Sequence, residues 1–276
     1  MVAATDLVGI RSREVDGWEL REAGPADAGV AAVLLPGGLC SAAFYDDVLA
    51  YATLDRPDVR LVAATPPAFA GRPAPADLSV ESFARLASEL TASLDCRAVV
   101  GHSYGANIAI EMAASGGFAG PFVLLSPAFS REDEFKELAV LDRIGRVPGI
   151  GGLAWRAVPR AVARSLKSAL PPARRDELVA ELRRNEPQVC RRLVRRYFEY
   201  LDATEPLARR LCDAGVPAWV VFGDHKEAGL TSEERRVLEA CPDVTLEIWA
   251  GATHALIAEE PRRIAELVLR AAGERS

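Results

Sequence analysis

The chain of 276 residues is poor in several residue types, and each shortage excludes a class of protein. Only three lysines occur and the formal net charge is −6, which argues against a nucleic-acid partner because such proteins usually present a basic face. The five cysteines are scattered without a Cys-x-x-Cys pair. A disulfide framework or a zinc site is therefore not expected, and the sequence implies no metal.

Long apolar runs are also missing. No segment approaches the roughly 20 apolar residues of a membrane span, and the N-terminus has no basic region followed by an apolar run. Half of the residues are hydrophobic all the same, so a substantial core can form. We expect a cytoplasmic protein without a membrane span, built as one large domain or as a core with one insertion.

The chain does contain an alternation of short apolar runs and amphipathic segments. Two runs around Asp16-Gly17 predict a hairpin, and six further runs predict buried strands. This alternation predicts a mainly parallel, eight-stranded twisted sheet flanked by helices. The predicted strands are 7–13, 18–22, 30–35, 60–64, 98–100, 121–125, 217–222 and 244–249. The clearest predicted helices are Val80–Leu94, Ala106–Ala114, Gln188–Leu201 and Ser232–Ala240.

The alternation stops in the middle of the chain. From Ser130 to Asp202 no segment has the pattern of a strand, and several prolines divide the region into short helices. We predict a core formed by residues 1–129 and 206–276, with an all-helical insertion at 130–205. The arginine pairs at 191–192 and 195–196 are interpreted as solvated helix faces, with the binding of an acidic substrate as the alternative.

The most informative segment is an apolar strand that ends in Gly-His-Ser-Tyr-Gly, residues 101–105. The pattern Gly-x-Ser-x-Gly between a strand and a helix predicts a strained turn that exposes the Ser103 hydroxyl. Gly101 and Gly105 leave no side chains where the strand and the helix crowd the turn. Free N–H groups at the start of the helix would face a developing oxyanion. A tight turn without chemistry is the alternative interpretation.

A serine hydroxyl needs a base to become a nucleophile, and the chain offers three histidines. His254 lies in the loop after the last predicted strand, at the same edge of the sheet as Ser103. His102 directly precedes Ser103, so its side chain should point away from the nucleophile. His225 lies in a third loop at this edge. We therefore predict Ser103 as the nucleophile and His254 as the base.

Over nearly its whole length the chain resembles the α/β-hydrolase fold superfamily. Residues 101–105 match the nucleophile elbow of that family. The segment Gly251-Ala252-Thr253-His254 resembles its catalytic-histidine loop. Residues 130–205 resemble the helical cap that many members carry over the active site. The resemblance implies an α/β-hydrolase core with a cap insertion.

Residues 34–38, Leu-Leu-Pro-Gly-Gly, resemble the oxyanion loop of the family. Pro36 stands where a histidine is common in the family, but the side chain at that position takes no part in the reaction. The resemblance implies that the backbone N–H groups of Gly38 and Tyr104 form the oxyanion hole. Leu39 replaces Gly38 if the loop is shifted by one residue.

The acid of the triad is the point at which the chain departs from the family pattern. At the usual acid position after the seventh strand stands Lys226, and at the alternative position after the sixth strand stands Ser126. Asp224 and Glu227 flank the lysine, and either could reach the histidine if the loop has shifted. Asp224 is the preferred acid because it directly follows the strand and its side chain is short. A carboxylate that merely caps the loop is the alternative.

The resemblance implies a hydrolase of small carboxylic esters or related acyl compounds that works through an acyl-serine without a cofactor. Thioesterases and carbon–carbon bond hydrolases use the same constellation. Haloalkane dehalogenases and epoxide hydrolases resemble the fold, but they carry aspartate at the elbow. The lysine at position 226 leaves another class open, an impaired member that binds a small ligand without hydrolysing it.

Overall fold

The structure is a computed structural model that describes residues 9–147, 150–167, 170–202, 205–225 and 229–273. Its eight strands are β1 (Arg11–Val15), β2 (Trp18–Ala23), β3 (Val30–Leu35), β4 (Arg60–Thr65), β5 (Ala98–His102), β6 (Phe122–Leu125), β7 (Ala218–Gly223) and β8 (Val244–Trp249). They form one sheet in the order β1-β2-β4-β3-β5-β6-β7-β8. β2 pairs antiparallel with β1 and β4, and all other neighbours are parallel.

Helices connect the parallel strands and fill the interval between β6 and β7. The helices outside that interval are α1 (Asp46–Asp55), α2 (Val80–Leu94), α3 (Tyr104–Ala114), α10 (Ser232–Ala240), α11 (Leu256–Glu259) and α12 (Pro261–Gly273). The interval holds α4 (Lys136–Gly145), α5 (Ile150–Ala154), α6 (Val158–Leu166), α7 (Arg175–Arg183), α8 (Pro187–Leu201) and α9 (Leu207–Asp213). Its described residues contain no strand, as the sequence predicts. None of the described helices combines the length and the apolar character needed to cross a lipid bilayer.

The central strands of the sheet are buried on both faces, which explains their continuous apolar runs. All six residues of β3 are buried. Val33 and Leu35 pack into the core on one face, and Leu34 packs into the core on the other. The side chains alternate across the strand, so a single strand serves both cores.

The helical segment between β6 and β7 is joined to the rest of the chain by buried charges. Arg174 donates to Asp46 in α1 over 2.9 Å, and Arg21 in β2 pairs with the same carboxylate. A buried carboxylate with two guanidinium partners is strongly held, because losing either partner would leave a charge in a place that water does not reach. Arg195 and Arg196 are exposed and pair with Glu199, as expected for a solvated helix face.

Several predicted boundaries differ from the structure, and two of them do so for clear local reasons. The first strand was predicted at 7–13, but β1 runs from Arg11 to Val15, and residues 7 and 8 lie outside the described residues. Val15 pairs with Trp18 across a two-residue turn, so the strand must continue up to the turn. The helix predicted at Ala106 begins at Tyr104, because the chain turns directly from β5 into α3 at Ser103.

Candidate active site

Backbone strain is concentrated at the carboxyl edge of the parallel strands. Seven described residues other than glycine have a positive φ, and two of them are aspartates in turns. The other five lie in the loops that follow β3, β4, β5 and β6, namely Leu39, Ala68, Ala70, Ser103 and Ser126. Strain of this kind persists where surrounding structure enforces it, and it clusters at functional sites. The sheet edge at which the sequence predicts the nucleophile and the base is therefore also the edge at which backbone strain is concentrated among the described residues.

Ser103 occupies the sharp turn between β5 and α3. Its backbone has φ 51° and ψ −119°, a conformation that residues other than glycine rarely adopt. The turn is held by neighbours on both sides. The N–H of Ser103 donates to Leu125 over 2.8 Å, and its carbonyl oxygen accepts from Ala106 and Asn107. The residue is partly exposed and lies directly before the helix.

Two glycines make this turn possible. A Cβ on Gly101 would lie 2.3 Å from the carbonyl oxygen of Gly105, and a Cβ on Gly105 would lie 2.3 Å from that of Leu35. Both obstacles are backbone atoms, which cannot move aside as a flexible side chain can. The glycines of the motif therefore serve close packing between β3, β5 and α3, as the sequence predicts.

The predicted oxyanion loop lies beside the nucleophile. A Cβ on Gly37 would be 3.5 Å from Cβ of Ser103, and one on Gly38 would be 3.6 Å from Cβ of Tyr104. Within the described residues, the N–H groups of Gly38 and Leu39 donate to no backbone carbonyl. Tyr104 is the first residue of α3, where the N–H has no partner inside the helix. The arrangement brings the predicted donors together and leaves both Gly38 and Leu39 available.

Asn185 holds this loop in place from the helical segment. Its side-chain amide donates to the carbonyl oxygen of Leu39 over 2.7 Å and to that of Leu182 over 2.9 Å. Its carbonyl oxygen accepts from the N–H of Ala70 over 3.0 Å. The side chain is buried, and it bonds two residues with positive φ. One asparagine thus fixes two of the strained loops.

The base predicted at position 254 lies next to a second histidine. The Nε2–H of His102 donates to the backbone carbonyl oxygen of His254 over 2.9 Å. The two ring centroids are 5.2 Å apart. Phe135 also packs on the His254 ring, with the two centroids 4.9 Å apart and the ring planes at 79°. The His102 side chain therefore bonds the backbone of the loop that carries His254.

This packing makes both imidazoles weak bases. Burial, together with the neighbouring His102, lowers the pKa of His254 to about 3. Burial also lowers the pKa of His102 to about 4, against a smaller opposing effect of its bond to the His254 carbonyl. Both rings are therefore neutral at physiological pH, and a neutral imidazole is the form that can accept a proton.

Asp224, the preferred acid, bonds the backbone of the His254 loop and not its ring. Its Oδ1 accepts the N–H of Gly251 over 2.9 Å and lies 3.2 Å from Nδ1 of His225. The side chain is 46 % exposed. Among the described residues no carboxylate is hydrogen-bonded to the His254 ring, and the ring makes no hydrogen bond with Ser103. The structure thus brings Asp224 to the loop of the base, whereas the sequence predicts it at the imidazole.

Three other positions in the sequence bear on the acid of the triad, namely 126, 226 and 227. Lys226 and the second predicted acid, Glu227, lie outside the described residues. Ser126 directly follows β6 and has a buried hydroxyl without a hydrogen-bond partner among the described residues. At this alternative acid position the chain therefore carries a hydroxyl and not a carboxylate.

The sequence matches the model of the Alpha/beta hydrolase family over residues 32–267. The chain belongs to the alpha/beta hydrolase family. The match extends from β3 to α12, so it includes the segments predicted as the nucleophile elbow, the oxyanion loop and the histidine loop. No relative among curated proteins matches the sequence.

Solved structures of other hydrolases share the fold over almost the whole chain. An esterase from Rhodococcus sp. superposes with a TM-score of 0.69 at 21% identity, covering 97% of this chain and 99% of its own. A carboxylesterase from Bacillus subtilis gives 0.67 at 19%, with coverages of 98% and 96%. A haloalkane dehalogenase variant from Agrobacterium tumefaciens gives 0.71 at 16%, with coverages of 99% and 100%. At these identities the likeness shows the hydrolase fold alone.

Sequence reasoning missed three residues of this hydrolase that contact the site. Asn185 and Phe135 come from the helical segment, and their partners lie far away along the chain, so no local pattern marks them. His102 carried a signal, since a histidine beside the nucleophile is a polar group at the end of a buried strand. A buried polar group needs a hydrogen-bond partner, and that need could have raised the question of what His102 bonds.

Proposed function

We propose that this protein is a serine hydrolase of small carboxylic esters or related acyl compounds. The observation that carries the proposal is the strained backbone of Ser103, at φ 51°, at the start of α3 and beside the glycine loop at 37–38. Strain at this one residue has a chemical use, because it presents a hydroxyl at the point where unpaired backbone N–H groups converge.

In the proposed acylation step, Oγ of Ser103 attacks the carbonyl carbon of the ester while His254 takes the hydroxyl proton. The carbonyl oxygen becomes negative and is bound by the N–H of Tyr104 and that of Gly38 or Leu39. The tetrahedral intermediate then collapses, the bond to the leaving oxygen breaks, and His254 returns the proton to the departing alcohol. The acyl group remains on Ser103.

Deacylation repeats these steps with water as the nucleophile. His254 takes a proton from a water molecule as the water oxygen attacks the acyl carbon, and the same N–H groups bind the oxyanion. Collapse releases the carboxylic acid and gives the proton back to Oγ of Ser103. The bond to Ser103 therefore forms and breaks once in each turnover, and no cofactor takes part.

The proposal gives the helical segment at 130–205 the role of a cap. Phe135 at the start of α4 packs against the ring of His254. Tyr197 of α8 packs against Tyr104, with ring centroids 5.2 Å apart. Aromatic side chains from the segment thus contact both the base and an oxyanion donor. A substrate must pass them, so the cap selects substrates by the size and apolar character of the acyl group.

The pH dependence of hydrolysis should follow the lowered pKa of His254. Neutral imidazole is the active form, and a pKa lowered from 6.5 to about 3 moves the loss of activity to more acidic pH. We expect kcat/KM for p-nitrophenyl butyrate, corrected for spontaneous hydrolysis, to stay level between pH 8 and pH 5. A tenfold fall between pH 7 and pH 5.5 would show instead that the base titrates as an ordinary exposed histidine.

A pre-steady-state measurement tests the proposed function. Mixing the protein rapidly with p-nitrophenyl butyrate should release about one equivalent of p-nitrophenol per Ser103 in a fast phase, because acylation precedes the slower reaction with water. Steady turnover should follow. The proposal fails if p-nitrophenol appears no faster than in buffer, both with this ester and with the shorter acetate ester.

One observation favours a second candidate function. Among the described residues no carboxylate bonds the ring of His254, and in serine proteases the loss of that bond lowers kcat by about 10⁴-fold. A member of the family without it could hold a small acyl compound without hydrolysing it. The rapid-mixing experiment separates the two functions, because a protein that only binds gives neither the fast phase nor turnover.

A further inference from the structure

His102 is fixed in one protonation state by its surroundings. The carbonyl oxygen of His254 can only accept a hydrogen bond, so the Nε2 atom 2.9 Å away must carry the proton. The side chain is only 6 % exposed. Since the ring is neutral, Nδ1 carries no hydrogen and presents a lone pair.

That lone pair has no partner among the described residues, and it faces the oxyanion loop. A Cβ added to Gly37 would lie 2.9 Å from Nδ1, so the loop passes directly over the ring. A buried acceptor without a partner destabilises the folded state. An apolar side chain would avoid that cost, but it would lose the bond from Nε2 to the loop of the base.

The position of His102 in the chain gives this bond a particular consequence. His102 is covalently joined to Ser103 and hydrogen-bonded to the backbone of His254, so a single side chain sets the distance between the nucleophile and the base. The ring of His254 lies between His102 and Phe135. Asp224 restrains the same loop at Gly251.

We propose that His102 is a positioning residue that holds the His254 loop at the nucleophile through its Nε2–H, a task that a carboxylate on the imidazole performs in a complete triad. The inference rests on the proposed function, because it assigns a role within that reaction. His102 itself does not touch the substrate and transfers no proton. In a complete triad the carboxylate restrains the imidazole ring of the base. Here the bond from His102 restrains the backbone of His254 instead.

Two substitutions separate the hydrogen bond from the packing. In His102→Gln the amide nitrogen reaches about as far as Nε2 and keeps a donor, whereas His102→Leu keeps apolar volume and removes the donor. We expect His102→Leu to lower kcat for p-nitrophenyl butyrate by about 10–100-fold with KM within about twofold, since a misplacement of about 1 Å can cost 10²-fold. His102→Gln should stay within about fivefold of the wild-type kcat. His225→Leu, in an exposed neighbouring loop, is the control and should match wild type.

Nitrogen NMR of the wild-type protein gives a second measurement that needs no activity. The His102 ring should show the Nε2–H tautomer and should stay neutral down to pH 5. Equal kcat in His102→Leu and wild type would overturn the proposal, and so would equal losses in the Leu and Gln variants. If His102→Leu does not fold, the other two measurements decide. A protonated Nδ1 in the wild-type protein overturns the proposal. The Nε2–H tautomer, together with a kcat of His102→Gln within about fivefold of wild type, supports it. A wild-type protein that releases p-nitrophenol no faster than buffer refutes the proposed function instead, and the tautomer then decides only whether His102 holds the loop.

Discussion

Replacing Ser103 by alanine should abolish ester hydrolysis, lowering kcat/KM for p-nitrophenyl butyrate by about 10⁴-fold or more. The variant loses the atom that attacks the substrate and keeps only binding and oxyanion stabilisation, which are known to leave a small residual rate. Ser103 has φ 51°, so alanine must adopt the same strained conformation that serine does. Far-ultraviolet circular dichroism and the midpoint of urea unfolding should therefore remain close to those of wild type.

Ser126 provides a matched control for that substitution. It has φ 48°, it follows the neighbouring strand β6, and its N–H donates to Val221 as that of Ser103 donates to Leu125. Its buried hydroxyl has no partner among the described residues, so Ser126→Ala removes no hydrogen bond in that part of the chain. We expect Ser126→Ala to keep kcat/KM within about twofold of wild type. Comparable losses in the two variants would mean that the strained backbone, and not a nucleophilic hydroxyl, underlies the activity.

Gly105→Ala should lower the free energy of unfolding by about 3 kcal/mol or more. The new Cβ would lie 2.3 Å from the carbonyl oxygen of Leu35 and 2.6 Å from that of Pro36, so α3 and β3 would have to separate. Overpacking of a rigid interior costs about 1–3 kcal/mol and sometimes more, and here the contacts are with backbone. Alanine favours a helix over glycine by up to about 1 kcal/mol, which offsets only part of the cost.

Urea unfolding followed by tryptophan fluorescence measures this effect, with Gly29→Ala as the control. Nothing lies within 4 Å of a Cβ at Gly29, which has no positive φ. We expect that control to unfold within about 0.5 kcal/mol of wild type, as most surface substitutions do. A Gly105→Ala variant as stable as Gly29→Ala would contradict the close packing of the elbow against the oxyanion loop.

The sequence predicts much of the fold because local patterns carry it. The bounds of α2, α10 and β8 agree with the prediction, since an amphipathic period or an apolar run marks each of them. The helix α11 was not predicted. It has four residues, Leu256–Glu259, and so short a segment shows too few turns for a helical period to be recognised.

The site is predictable from the sequence only where its residues act on their neighbours in the chain. Ser103 and the loop around Gly37 and Gly38 follow from motifs in which each residue acts on its sequence neighbours. His102 and Asp224 act on atoms far along the chain, the carbonyl oxygen of residue 254 and the N–H of Gly251. Sequence spacing fixes which strand end a residue occupies, but the direction of its side chain depends on what packs against it.

These hydrogen bonds hold the backbone of the loop that carries His254, the proposed base. Asp224 bonds Gly251, Glu259 bonds Thr253, and His102 bonds the carbonyl oxygen of His254. Three successive parts of one loop are thus restrained by three side chains. A loop held in this way can present an imidazole without a carboxylate on the ring, and among the described residues the ring is then held by its packing against His102 and Phe135 and not by a hydrogen bond.

The most direct test of the central claim, that Ser103 is an activated nucleophile, is to map the site of reaction with a fluorophosphonate. The wild-type protein is incubated with the probe, digested, and the modified peptide is sequenced by mass spectrometry. We predict a single adduct on Ser103 that forms more slowly in His102→Leu and is absent in Ser103→Ala. An adduct on another residue, or ester turnover by a protein in which Ser103 stays unmodified, would contradict the proposed mechanism.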